Sequence, residues 1–183
     1  MSNIMQACVE MELSEPSSAL LRNDMTPQAA VQALVGAGAV QDALKLIARL
    51  LPKRYAVAWL CQCAHGQTLN PEDRAGASLA ERWVREPNES NRRAAFEFAD
   101  AGGYKSTGAW LAAAAGWSGG SLAPASQETP VPPPDHLTAC AVVAGINMLA
   151  ALVNDQFDAR RAGFIEPAMN LLNAGGNAAG GGA

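Results

Sequence analysis

Two pairs of side chains in this sequence have the types and spacing to hold a metal ion. In Cys61-Gln62-Cys63-Ala64-His65 the two cysteines, placed on a helix, point roughly 200° apart, so Cys61 and His65 share a face and Cys63 does not. His136 and Cys140 repeat the i, i+4 relation further along. If the two helices met there, Cys61, His65, His136 and Cys140 would supply a tetrahedral Cys2His2 set. The plainer expectation is that the cysteines serve as small apolar residues and both histidines sit at helix ends, with no metal and no other cofactor.

Nucleophilic and phosphate-binding chemistry have weaker candidates. Gly119-Gly120-Ser121-Leu122-Ala123 approximates a nucleophile elbow, with Asp135 and His136 as conceivable partners, but that elbow needs a strand before it and a helix after it. Here a helix precedes and prolines follow. Gly102-Gly103-Tyr104-Lys105-Ser106-Thr107 ends like a phosphate loop, yet Tyr104 stands where glycine is required and no strand leads in. It reads as a helix stop followed by a cap. No catalytic residue is assigned, and the chain is not expected to be an enzyme.

Binding chemistry is better represented. Lys45, Arg49, Lys53 and Arg54 form a basic run with no acid between Asp42 and Glu72. Such a run either docks an acidic partner segment or is a solvated helix end answering its own dipole. Trp59, Trp83 and Trp110 lie on helical faces and are expected in the core, whereas Trp117 stands at a loop entrance and anchors either that loop or a partner. Lys53, Arg54 and Trp117 are therefore the candidate partner-binding residues.

The elements that must position these groups are helical. Residues 1–24 are acidic and weakly periodic and read as a flexible N-terminal arm with at most one short helix or strand. Residues 25–173 read as one helical domain. Thr26-Pro27 pairs an N-cap residue with proline at the first helical position and starts a helix over 27–36. Val40, Ala43, Leu44, Ile47 and Leu51 form the next apolar stripe; Tyr55, Ala56, Trp59, Leu60 and Cys63 follow, closed by Gly66. Asn70-Pro71-Glu72-Asp73 restarts the chain as a helix to about residue 86, a further helix spans 88–101, and an Ala-rich one runs from Ser106 or Thr107 to Gly116.

Residues 117–134, with Pro124, Pro130 and Pro132 to Pro134, cannot be regular structure. They are predicted to form an ordered strap across the bundle. No formally charged residue stands between His136 and Asn154, but His136, Thr138, Gly145 and Asn147 dilute the apolarity, so 135–153 is a central buried helix rather than a membrane span. The last helix, 156–173, is predicted to be interrupted near Pro167, and 174–183 is a flexible Gly/Ala tail. The fold class is all-α, an irregular bundle of about seven or eight helices with one long Pro/Gly-rich loop.

Composition narrows function further. With 183 residues, 49% apolar and 16% charged, the chain supports a single core, which excludes two full domains and wholesale disorder. A net charge of −4 gives no pull toward nucleic acid or anionic membranes. Four cysteines without framework spacing read as reduced thiols in the cytoplasm, and Glu10, Glu12 and Glu15 are unlike an export signal. Homo-oligomerisation stays open.

Three stretches carry a resemblance: Leu50-Leu51-Pro52-Lys53-Arg54-Tyr55-Ala56-Val57-Ala58-Trp59; Trp117-Ser118-Gly119-Gly120-Ser121-Leu122-Ala123-Pro124; and Val131-Pro132-Pro133-Pro134-Asp135-His136-Leu137-Thr138-Ala139. In this order and spacing the chain resembles an uncharacterised family of small helical bacterial proteins encoded beside type VI secretion genes, often near spike and effector genes. The likeness covers roughly 25–155. It implies a cytoplasmic accessory protein, an adaptor or chaperone that binds an effector or spike-associated protein; the alternative is an immunity protein that occludes a toxin's active site. No catalytic residue comes with it. Physically, Pro52 opens a helix, Lys53 and Arg54 in its first turn are placed to bond back to the loop, and the glycines let the 118–121 turn pass close to another backbone.

Overall fold

Side-chain caps decide where most of the helices begin. Thr26 accepts a hydrogen bond from the Ala29 amide, Asn70 from Asp73, Asn88 from Asn91 and Ser106 from Ala109, each satisfying a first-turn donor that no helical carbonyl reaches. The computed structural model describes residues 3–178. Its helices are α1 (Ile4–Glu10), α2 (Glu15–Ala19), α3 (Pro27–Gly36), α4 (Val40–Leu50), α5 (Lys53–His65), α6 (Pro71–Arg85), α7 (Glu89–Ala101), α8 (Thr107–Gly116), α9 (Leu137–Ala150) and α10 (Phe157–Ala178). No strand occurs among the described residues, and none of the helices is long and apolar enough to cross a membrane.

The two helices beyond the expected eight lie in the stretch read as a flexible arm. Residues 3–24 are instead folded onto the domain: Ile4, Ala7, Cys8 and Met11 bury one face of α1, and Leu21 is buried beyond α2. Asn3 caps α1 and Ser14 caps α2. Asp42, itself buried, accepts from both the amide (3.2 Å) and the hydroxyl (2.7 Å) of Ser14, so α4 fixes the turn between them.

The Ala-rich α8 is the hub, packed against α6, α7 and α9, and every residue of it except Trp110 is buried. Small side chains permit this. A Cβ on Gly76 would lie 2.1 Å from the Gly108 carbonyl oxygen, so α6 and α8 cross backbone against backbone. Asp73, in the first turn of α6, accepts the buried Gly108 amide at 2.7 Å, supplying an acceptor where α8 has none of its own. The uncharged α9 is buried as expected and shares the centre with α8; Thr138 donates to the Ala114 carbonyl at 3.0 Å.

Helix α10 runs through Pro167 without the expected interruption. Proline cannot donate to the Gly163 carbonyl, and the buried Trp59 indole braces the same turn by donating to the Phe164 carbonyl at 2.8 Å. The helix reaches Ala178, into the expected Gly/Ala tail; residues 179–183 lie outside the described residues. Trp83 is buried with Trp59, while Trp110 is only half-buried.

Candidate functional site

The three stretches that carry the resemblance meet at one ammonium group. Pro52 is the N-cap of α5 and puts Lys53 at its first position. From there Nζ donates to the Ser118 carbonyl at 3.0 Å and pairs with Asp135 at 2.9 Å. One lysine thus ties both ends of the strap, residues 117–136, to the start of α5. Arg49, on the last turn of α4, adds a second cation to Asp135 at 3.0 Å and reaches Glu10 of α1 at 2.5 Å.

Two arginines of α7 hold the body of the strap. Arg92, 3% exposed, forks onto both Glu89 oxygens and the Gly116 carbonyl, each at 2.6 Å. Arg93 donates to the Ser121 carbonyl at 3.2 Å and the Ala123 carbonyl at 2.8 Å. Gly120 has φ +62° and lies flat on Arg92, where a Cβ would come within 2.7 Å of Nε. Glycine is therefore required both for the turn and for the approach, although the neighbour is a guanidinium and not the backbone expected. Ser121 Oγ accepts from the amides of Ala123 (3.1 Å) and Val131 (2.9 Å), and the Leu122 amide donates to the Val131 carbonyl at 2.8 Å.

The Ser121 hydroxyl is engaged with its own loop, and Asp135 with Arg49 and Lys53, so the elbow and its conceivable partners form no hydrogen-bonded triad. Arg54 turns away from the strap to the Val84 and Arg85 carbonyls at the end of α6. Lys45 donates to the Glu12 carbonyl at 3.0 Å. The basic run is thus tied back to its own chain, Arg49 and Lys53 to carboxylates and Lys45, Lys53 and Arg54 to backbone carbonyls, while Arg54 stays exposed. Trp117 packs its ring against Tyr104 and Trp110, with centroids 5.3 and 5.7 Å away. The Gly102–Thr107 run joins α7 to α8, Gly102 closing one helix and Ser106 capping the next.

Cys61, His65, His136 and Cys140 are not brought together. Exposed His65 faces Glu81 at 2.8 Å, whereas His136 and Cys140 line a hollow beside α1. Among the described residues no group of three or more His, Cys, Asp or Glu side chains could hold a metal ion. Burial pushes the Cys61 and Cys63 thiols up to about 12. In native protein at pH 8, the half-buried Cys140 is expected to react first with a disulfide reagent such as DTNB. Cys8, Cys61 and Cys63 are expected to react only on unfolding. Rapid native labelling of all four would contradict this packing.

Four carboxyls sit below their ordinary range. A hydrogen bond from Arg49 lowers Glu10, one from Arg92 lowers Glu89, and one from Lys53 lowers Asp135. At Asp42 burial pushes upward, but bonds from Ser17 and Ser14 outweigh it. A depressed folded pKa contributes stability above the unfolded value, near about pH 4, and that contribution is lost as pH falls through the folded value. The melting temperature is therefore expected to hold from about pH 7 to 5 and to fall below about pH 4. Glu10→Gln should flatten part of the fall; an unchanged profile would contradict the Arg49 assignment.

With the strap pinned, an open cleft of about 730 Å³ remains between it and α7. Ser90 and Ala94 form its floor, Pro124, Ala125 and Pro130 its wall, and Glu97 and Glu128 stand in its lining. Of the sequence candidates, Ser121 is in its lining, whereas Lys53, Arg54 and Trp117 are not; a signal was available in the small residues at i, i+4 on α7 opposite the proline-rich loop.

Fold and site together define a small all-α protein in which a proline-rich strap is clasped to a helical bundle. Residues 30–172 match a family of unknown function (DUF6931), and the chain belongs to that family. No curated protein and no solved structure matches it. The matched span contains the whole strap, its clasp and the cleft, and begins after α1 and α2.

Proposed function

We propose that this protein is a non-enzymatic adaptor or chaperone of type VI secretion, which holds an effector or spike-associated protein in the cytoplasm before it is loaded. The observation that carries the reading is the cleft between α7 and the strap. Side chains that could do chemistry, Ser121, Asp135 and Arg92 among them, are engaged in fixing its wall. What remains accessible is a shaped surface of mixed polarity, which suits a protein partner better than a reaction. The secretion context comes from the three stretches of likeness, all of which contribute to the Lys53 clasp.

The test is affinity purification of the tagged protein from its own cells at near-physiological salt, with partners identified by mass spectrometry. The reading expects a spike, tip or effector protein in near-stoichiometric yield, and loss of secretion without loss of survival when the gene is deleted. A toxin whose expression becomes survivable only with this protein present would make it an immunity protein instead. Recovery of no partner would overturn the adaptor reading.

A further inference from the structure

We infer that the cleft between α7 and the strap takes an extended segment of a partner protein bearing two cationic side chains, arginine above all, at i and i+4. The inference deepens the adaptor reading and rests on it for the existence of a partner; what it adds is the chemistry of the segment. Three observations carry it. First, the far wall of the cleft is built. The Leu122 amide meets the Val131 carbonyl and Ser121 Oγ takes the Val131 amide, so residues 122–131 close on themselves as a loop with a pinned neck. The Gln127 amide turns the tip of that loop by donating to the Pro124 carbonyl at 3.0 Å. Opposite the tip, Ser90 and Ala94 of α7 are too short to reach across, and about 730 Å³ stays open.

Second, the lining sets three carboxylates, Glu89, Glu97 and Glu128, against one cation, Arg93. Arg93 is already committed: its two terminal nitrogens hold the Ser121 and Ala123 carbonyls, and Nε lies 3.4 Å from Glu97. Each Glu89 oxygen takes one Arg92 donor and keeps a lone pair for another, with the side chain 66% exposed. Glu97 is 62% exposed, and Glu128 is exposed and pairs with no cation among the described residues. Third, donors are scarce where acceptors are plentiful. Gln127 Nε2 is directed to the Thr129 carbonyl at 3.0 Å, and Pro124 and Pro130 have no N–H to offer. Such a cleft is complementary to a ligand that brings donors and positive charge, and a guanidinium matches a carboxylate best. Glu89 and Glu97 are separated by about 12 Å along the α7 axis at 1.5 Å per residue. Side chains at i and i+4 of an extended chain span about the same distance, leaving small residues between them to lie over Ser90 and Ala94.

The test titrates the full chain with a capped Arg-Ala-Pro-Ala-Arg peptide at low ionic strength, read by amide chemical shifts, which also report that each variant is folded. Saturable shifts are expected at Ser90, Ala94, Glu97 and Glu128. Binding is expected to weaken at least about fivefold in Glu97→Gln/Glu128→Gln, two exposed acids whose loss leaves the Arg92 fork intact. Glu72→Gln/Glu166→Gln removes the same charge from exposed positions on α6 and α10 and is expected to bind as wild type does. A Glu-Ala-Pro-Ala-Glu peptide is expected not to bind. Absence of saturable shifts in the wild type, shifts centred elsewhere, or equal weakening in the two double variants would each overturn the inference. The adaptor reading is judged separately. If the tagged Glu97→Gln/Glu128→Gln chain captures its partner from cells in wild-type yield, the acidic cleft is refuted while the adaptor stands.

Discussion

Replacing Gly76 with alanine is expected to destabilise the protein by about 3 kcal/mol and to lower its melting temperature by roughly 10 °C. The added methyl would sit 2.1 Å from the Gly108 carbonyl oxygen and 2.6 Å from its Cα. These are backbone atoms, which cannot swing aside as a flexible side chain would. The helices α6 and α8 must separate, and separation also stretches the Asp73 bond to the Gly108 amide. Because α8 is the element on which α6, α7 and α9 converge, the damage spreads beyond one interface. Gly119→Ala is the control, since a Cβ there meets nothing within 4 Å. A loss in Gly76→Ala no larger than in Gly119→Ala would contradict the backbone crossing.

Arg92→Ala is expected to cost about as much, on the order of 3 kcal/mol, by a different route. Arginine here satisfies the Gly116 carbonyl at the end of α8 and supports the turn at Gly120 while its fork is neutralised by Glu89. Removal returns Glu89 to water, since its side chain is 66% exposed, but leaves the buried Gly116 carbonyl without its donor. An unmade bond of that kind carries the full desolvation penalty. Arg92→Lys is expected to recover less than half of the loss, because an ammonium cannot span the Glu89 carboxylate and the Gly116 carbonyl as a planar fork does. Denaturant midpoints read the stability. Full rescue by lysine would show that only the charge matters and would refute the fork assignment.

Much of this fold is legible from punctuation. Thr26-Pro27, Asn70-Pro71 and Ser106 start helices where the sequence places them, because a capping oxygen and a pre-set proline φ act locally and need no tertiary context. The N-terminal helices are less legible because α1 and α2 are short, with helices of seven and five residues. Their stability comes from packing and from Arg49, Lys45 and Asp42 far along the chain. The apolar spacing of Ile4, Ala7, Cys8 and Met11 is readable, yet Met5 and Val9, apolar but off the stripe, obscure it. At Pro167 the local rule is overridden by the brace from Trp59. The basic run illustrates the general limit: Lys45, Arg49, Lys53 and Arg54 advertise charge, but their partners are mainly backbone carbonyls and acids distant in sequence. Sequence gives a cation's position along the chain; only the fold gives its partner.

The three stretches of likeness build a fixed strap, and with it the wall of the cleft. Amide hydrogen exchange of the native protein tests this most directly. Leu122, Ala123 and Val131 each donate to an acceptor within the strap, at 2.8, 3.1 and 2.9 Å. Protection of at least about a hundredfold is expected at Leu122 and Val131 in the wild type, with protection falling in Lys53→Met while α8 stays protected. Exchange at the intrinsic rate across all three amides of the native wild-type protein would contradict it, and with a loose strap there would be no built cleft for a partner to enter.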